Sequence, residues 1–109
     1  MRRFGQVVGL RPEILDEYKR IHVKIWPEIE YAIRGSGITN YSIFFKDHFL
    51  FAYFEYTGPD EEFEQRMTWL ANAPRMQEWW GVTKAMQVPL ETRAEGEWWA
   101  NMEEVFHQD

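Results

Sequence analysis

Cysteine is absent from this chain of 109 residues, and its absence excludes several kinds of site. Without thiols there are no disulfides, no zinc–thiolate centre and no cysteine nucleophile, a composition that fits the cytoplasm. Histidine is scarce too: the three residues do not show the spacing of a common metal site. No phosphate-binding loop, dinucleotide glycine motif or GxSxG sequence occurs. We therefore expect neither a metal nor a cofactor.

Long apolar runs and excess positive charge are also missing. No stretch approaches the roughly 20 apolar residues that span a membrane, and the N-terminal apolar run is too short for a secretory signal. The formal charge is -6, whereas nucleic-acid-binding proteins usually carry a clustered basic surface. We expect a single domain, residues 1–109, that binds neither nucleic acid nor a membrane.

Aromatic residues are plentiful: 8 Phe, 6 Trp and 5 Tyr make up 17% of the chain. The apolar patterns predict elements in the order β-α-β-β-α-β. The predicted strands span residues 3–10, 38–46, 49–57 and 102–107, and the predicted helical regions, each interrupted near a proline, span 12–35 and 60–86. This order predicts an α+β, ferredoxin-like βαββαβ sandwich with an antiparallel sheet and helices on one face.

The other face of such a sheet needs a cover. The predicted strands at 38–46 and 49–57 carry more aromatic residues than the helix-facing side alone can bury. We therefore predict a homodimer in which the two sheets pack together.

Tyr18 and His22 are the first candidates for chemistry. They lie four residues apart, which places them on one face of the predicted helix. Histidine exchanges protons near neutral pH without large tuning, and Tyr18 would supply a hydroxyl beside it. The alternative is a purely structural His22 that bonds to a backbone carbonyl.

Further candidates are Trp79, Trp80 and Tyr41. Indole faces suit the C–H faces of sugars, and the indole N–H can bond to a hydroxyl, although packing in the core or a dimer interface is the simpler interpretation. Glu104 is a possible site residue that could place a substrate hydroxyl or orient His22. An inter-strand salt bridge is the alternative for Glu104.

Several of these residues stand in motifs that resemble the L-rhamnose mutarotase family. The motifs are Tyr18-xxx-His22-xxx-Trp26-Pro27-Glu28, then Asn40-Tyr41-Ser42-Ile43, then Trp79-Trp80, and finally Glu104-Val105-Phe106. They occur in the family's order and with similar spacing from about Phe4 to Phe106.

The resemblance implies a dimeric α/β barrel that interconverts the α and β anomers of a 6-deoxy sugar without a cofactor. It also implies that His22 is the proton donor and that Tyr18, Tyr41, Trp79 and Trp80 bind the sugar. The chain departs from rhamnose-type members at residues 23–25, at 98–99 and at 107. Both L-rhamnose and L-fucose therefore stay open as substrates.

Mutarotation requires a proton to leave the anomeric hydroxyl and another to reach the ring oxygen. Our hypothesis from the sequence is that protonated His22 donates to the ring oxygen, while a second group or a water accepts the anomeric proton. Two alternatives remain. One is a monooxygenase or haem-binding protein of the same dimeric ferredoxin-like barrel architecture, and the other is a non-enzymatic binding module.

Overall fold

A computed structural model describes the whole chain, residues 1–109, as five strands and four α-helices. The strands are β1 (Arg2–Leu10), β2 (Ile38–Lys46), β3 (Phe49–Tyr56), β4 (Gln87–Val88) and β5 (Ala100–Met102). The α-helices are α1 (Leu15–Val23), α2 (Pro27–Gly35), α3 (Phe63–Ala71) and α4 (Met76–Met86), and short 3-10 turns precede α1 and α3. Each helix is too short or too polar to cross a lipid bilayer.

Prolines set the breaks that the sequence predicts between paired helices. Pro27 is the first residue of α2, where its missing N–H costs nothing, and so α1 ends before it at Val23. Pro74 lies in the turn between α3 and α4. Each predicted helical region is therefore a pair of short helices.

All strand pairs of the sheet are antiparallel, in the order β2-β3-β1-β4, with β5 also paired to β1. This is the strand order of a ferredoxin-like sheet, and the predicted α+β fold is confirmed. The helix-facing side of β3 is strictly alternating: Leu50, Ala52, Phe54 and Tyr56 are all buried.

The last strand was predicted wrongly. Its expected place beside β1 is shared by β4, opposite Leu10 and Gly9, and by β5, opposite Val7 to Gly5. Residues 89–99 leave the sheet edge between these two short strands. The strand predicted at 102–107 is instead β5, which starts at Ala100 and ends at Met102. Val105 and Phe106 lie beyond it, are exposed and belong to no strand.

Two buried clusters hold the helices against the sheet. The larger cluster lies under α2, α3 and α4 and contains Ile29, Ala32, Ile38, Phe54, Leu70, Ala73, Met76 and Trp79. The smaller one lies under α1 and contains Val8, Leu10, Tyr18 and Leu50. The site residues Tyr18 and Trp79 thus belong to different clusters.

A β-bulge in β2 changes which way its side chains point. The register steps from Thr39 opposite Glu55 to Ser42 opposite Tyr53, so β2 carries one extra residue there. Asn40 takes the left-handed conformation, with φ of 50°, and its side-chain amide donates to the Glu55 carboxylate at 3.1 Å. Because of the extra residue, Tyr41 shares the helix-facing side with Ile38, three residues before it.

We predict that Asn40→Val destabilises the fold by about 1–3 kcal/mol, because a β-branched residue resists positive φ. Urea unfolding measures the change. Asn40→Gly is the matched control, since glycine accepts this backbone conformation, and we expect it to stay within about 1 kcal/mol of the parent. Equal stability of the two variants would contradict a bulge that depends on the backbone conformation of Asn40.

Candidate active site

A cavity of about 910 Å³ opens between the helices and the helix-facing side of the sheet. Its wall combines residues of α1, α2, β2, α4 and β4 with Trp99 from the 89–99 segment. Five of the six residues singled out from the sequence line it: Tyr18, His22, Tyr41, Trp79 and Trp80. Residues from three separate parts of the chain therefore meet in one place.

His22 is held in one orientation by the turn of α1 that precedes it. Its Nδ1 lies 2.7 Å from the backbone carbonyl oxygen of Tyr18, and its ring stacks on the Tyr18 ring with centroids 4.4 Å apart. A carbonyl only accepts hydrogen bonds, so Nδ1 carries the hydrogen. Nε2 has no hydrogen-bond partner in the protein and is not sealed from solvent, which leaves it open to the cavity.

Burial determines the charge of the imidazole. It lowers the pKa of His22 below the ordinary value of 6.5, and the hydrogen bond to the Tyr18 carbonyl opposes this only in part. At neutral pH the ring is thus mainly neutral, with a hydrogen on Nδ1 and a lone pair on Nε2. In this state Nε2 can accept a proton from a bound hydroxyl.

Tyr18 contributes its hydroxyl from the same helix face. The residue is 5% exposed, and its hydroxyl oxygen accepts a hydrogen bond from the Gln87 side-chain amide at 3.0 Å. Burial raises the pKa of Tyr18, and the Gln87 hydrogen bond offsets a smaller part. The phenol is therefore neutral and retains its hydrogen.

Tyr41 reaches the cavity from β2 because of the bulge. Its ring lies 5.3 Å from that of Phe54, centroid to centroid. Burial together with the nearby Tyr18 raises the pKa of Tyr41 to about 12. Two neutral phenols thus face the same space as a neutral imidazole.

Trp79 and Trp80 both contribute to the wall, although adjacent helical residues point about 100° apart. Trp79 is buried in the larger cluster and meets the His22 and Trp26 rings edge-on at 5.3 and 5.2 Å. Trp80 is half-buried, and the Lys84 ammonium lies 5.7 Å from its ring centroid. One indole is fixed by the core and the other remains open to a ligand.

Glu104 lies elsewhere and does not line the cavity. Its carboxylate pairs with the Arg3 guanidinium of β1 at 3.0 Å, as in the salt-bridge alternative. The suggested orientation of His22 by Glu104 is replaced by the hydrogen bond to the Tyr18 carbonyl. His48 is an exposed residue of the β2–β3 turn, and His107 bonds to Asp109 at 2.8 Å. No group of three or more His, Asp or Glu side chains is arranged to hold a metal ion.

The sequence analysis missed Gln87 and assigned no role to Trp98 or Trp99. Gln87 is 8% exposed in the short strand β4, which carries no periodic pattern in the sequence. Trp99 lines the cavity, whereas the Trp98 indole N–H donates to the Gln87 side-chain oxygen at 2.8 Å. In the sequence, only the pair of tryptophans in an otherwise irregular segment indicated that this part of the chain could contribute to a site.

Sequence similarity to known proteins extends over almost the whole chain. The sequence model of the L-rhamnose mutarotase family matches residues 3–108. The L-rhamnose mutarotase of Lactiplantibacillus plantarum is 34% identical to this chain over 112 aligned positions, and that of Oceanobacillus iheyensis is 32% identical over 112, each alignment covering 100% of both chains.

Solved structures agree on the fold. An L-rhamnose mutarotase from Formosa agariphila superposes with a TM-score of 0.77 at 23% identity, covering 100% of both chains. A type-II polyketide cyclase from Streptomyces glaucescens reaches 0.66 at 12% identity, covering 100% of this chain and 98% of its own. At such identities the likeness shows the fold alone.

We predict that His22 titrates below 6.5 and carries its hydrogen on Nδ1 when neutral, because its surroundings disfavour the charged ring and a carbonyl faces Nδ1. Two-dimensional ¹⁵N NMR of the histidine side chains across a pH series measures both properties. His22→Gln assigns the signal by its disappearance. A pKa at or above 6.5, or an Nε2–H tautomer, would contradict the geometry.

Proposed function

Since the chain belongs to the L-rhamnose mutarotase family, it is an isomerase that interconverts the α and β anomers of a sugar, and we propose that its substrate is a 6-deoxy sugar. L-Rhamnose is the first candidate because the similar curated enzymes carry its name. L-Fucose is the second. In this proposal residues 1–109 act as one mutarotase domain in the cytoplasm.

The orientation of His22 carries the proposal. Its Nε2 is unpartnered, and His22 lines a cavity whose walls include Tyr18, Tyr41, Trp79 and Trp80. Aromatic faces pack well against the C–H faces and the methyl group of a 6-deoxy sugar, while hydroxyls bond to the sugar oxygens. A proton acceptor inside such an enclosure suits a reaction that only moves protons.

The charge states at neutral pH favour a modified form of the mechanism expected from the sequence. Neutral His22 accepts the proton of the anomeric hydroxyl at Nε2, and the ring oxygen takes a proton from the neutral hydroxyl of Tyr18, whose ring stacks on that of His22. The bond between the anomeric carbon and the ring oxygen breaks, which leaves an open-chain aldehyde. No net charge is added to the site, because His22 gains one proton from the sugar while Tyr18 gives another proton to it.

Reclosure reverses both transfers after the aldehyde has turned its other face. The ring hydroxyl returns its proton to the phenolate and attacks the carbonyl carbon, while the His22 imidazolium protonates the former carbonyl oxygen. His22 is thus a proton acceptor on opening and a proton donor on closure. No metal ion, protein nucleophile or redox step takes part in this proposed sequence.

A homodimer is the second element of the proposal. The sheet face away from the helices carries Phe44, Phe49 and Phe51 on β2 and β3, with Met102 of β5 on the same side. Phe44 is 65% exposed, and Val105 and Phe106 of the C-terminal segment are 91% and 79% exposed. So many exposed apolar side chains favour a second copy as their cover.

We expect His22→Gln to lower the enzymatic rate of anomer exchange by about 10²–10⁴-fold, because glutamine fills similar space but does not cycle a proton. Saturation-transfer NMR measures exchange on L-rhamnose and on L-fucose after subtraction of the spontaneous rate. His48→Gln is the matched control: the same substitution in the exposed turn should keep the parent rate.

The pH profile of the parent enzyme distinguishes the two directions of proton transfer. If neutral His22 accepts the first proton, kcat/KM is highest above the lowered pKa of His22 and declines on acidification. If protonated His22 begins the reaction, kcat/KM instead rises as the pH falls. Full exchange by His22→Gln, or no exchange of either sugar by the parent, would overturn the proposal.

We predict that the parent protein is a homodimer in sedimentation equilibrium. Phe49→Asp should dissociate it, because an unpaired carboxylate buried between two sheets costs several kcal/mol. Val82→Asp introduces the same charge at an exposed position of α4 and should leave the dimer intact. A monomeric parent at micromolar concentration would exclude the dimer.

A further inference from the structure

Three side chains form a continuous hydrogen-bonded row that begins in the cavity wall, where Tyr18 and Gln87 lie, and ends at Trp98 outside the wall. The Trp98 indole N–H donates to Gln87 Oε1 at 2.8 Å, and Gln87 Nε2 donates to the Tyr18 hydroxyl oxygen at 3.0 Å. They come from the 89–99 segment, β4 and α1, so the row joins parts of the chain that are distant in sequence.

The direction of this row follows from its two ends. An indole N–H is only a donor, so the atom of Gln87 that faces it must be the oxygen. The amide nitrogen of Gln87 must then face Tyr18, and a nitrogen of this kind only donates. The Tyr18 oxygen is therefore an acceptor in the row, and its own hydrogen must point elsewhere.

The cavity is where that hydrogen can point. Tyr18 lines the cavity, its hydroxyl donates to no atom of the protein, and its oxygen already accepts the hydrogen bond from Gln87. We propose that Gln87, held by Trp98, is a positioning residue that directs the Tyr18 hydroxyl hydrogen into the cavity, toward an oxygen of the bound substrate. The substrate in this proposal rests on the proposed function, whereas the direction of the hydrogen bonds does not.

The backbone and the neighbours of the row keep it rigid. Gln87 is fixed in register opposite Leu10 of β1, directly after the end of α4. The Lys84 ammonium lies 5.2 Å from the Trp98 ring centroid, a cation–π contact that helps to hold the indole. Trp99, the next residue, lines the cavity. The 89–99 segment thus supplies one tryptophan to the wall and one that holds Gln87.

Two substitutions at Gln87 test the direction of the hydrogen bond. Gln87→Met keeps the length of the side chain but removes both hydrogen bonds, so the Tyr18 hydroxyl can rotate away from the cavity. We expect kcat for anomer exchange to fall about tenfold, with a smaller change in KM, in line with the loss of one oriented hydrogen bond.

Gln87→Glu reverses the polarity of the row. A carboxylate still accepts from Trp98 but also attracts the Tyr18 hydrogen, so kcat should fall at least as far although the packing is kept. Gln65→Glu adds the same charge at an exposed position of α3 and should leave kcat unchanged.

The titration of Tyr18 provides a readout that does not depend on catalysis. The Gln87 N–H stabilises the phenolate, so its removal in Gln87→Met should raise the pKa of Tyr18. Tyrosine labelled with ¹³C at Cζ reports this pKa by NMR, and Tyr18→Phe assigns the signal. A residue that only filled space would leave the titration unchanged.

The outcomes separate this inference from the proposed function. A lowered kcat together with a raised Tyr18 pKa in Gln87→Met supports positioning. An unchanged kcat and an unchanged Tyr18 titration in Gln87→Met would overturn it. If the parent exchanges neither sugar, the mutarotase substrate proposal fails, while the Tyr18 titration still decides whether Gln87 orients the hydroxyl.

Discussion

Burial of Tyr18 is the constraint on which the site depends. Tyr18 is 5% exposed, so its polar atoms need hydrogen-bond partners inside the protein. The backbone carbonyl selects the hydrogen position on His22, while the hydroxyl oxygen is occupied by Gln87. The ring itself supports the imidazole by stacking. One buried residue thus sets the tautomer of His22, while Gln87 sets the direction of the hydroxyl hydrogen of that buried residue.

The sheet supplies the geometry around Tyr18 through two irregularities. The bulge at Asn40 turns Tyr41 toward the cavity, and the interruption between β4 and β5 sends residues 89–99 out of the sheet and back to it. A regular ladder would have pointed Tyr41 away and left no segment to carry Trp98 and Trp99. Both departures from regular pairing lie beside the cavity, as is common near functional sites.

Much of the fold could be predicted from periodicity and from prolines, because these act locally. The paired helices, β1, β2, β3 and the α+β class followed from apolar spacing and from Pro27 and Pro74. The final strand could not be predicted in this way. It has only three residues, and it pairs with the part of the β1 edge that β4 leaves unpaired. Glu104 shows the same limit: the sequence allowed a site role or an ion pair, and only the position of Arg3 selected the pair.

The sequence by itself determined which residue types were available for chemistry: an imidazole, several phenols and indoles, and no thiol. Its motifs also determined the family. Only the tertiary structure decided the protonation states and directions of those groups, because both depend on burial and on partners remote in the chain. Gln87 illustrates the reason: it lies 69 residues from Tyr18 and its importance follows from one hydrogen bond that no local pattern records.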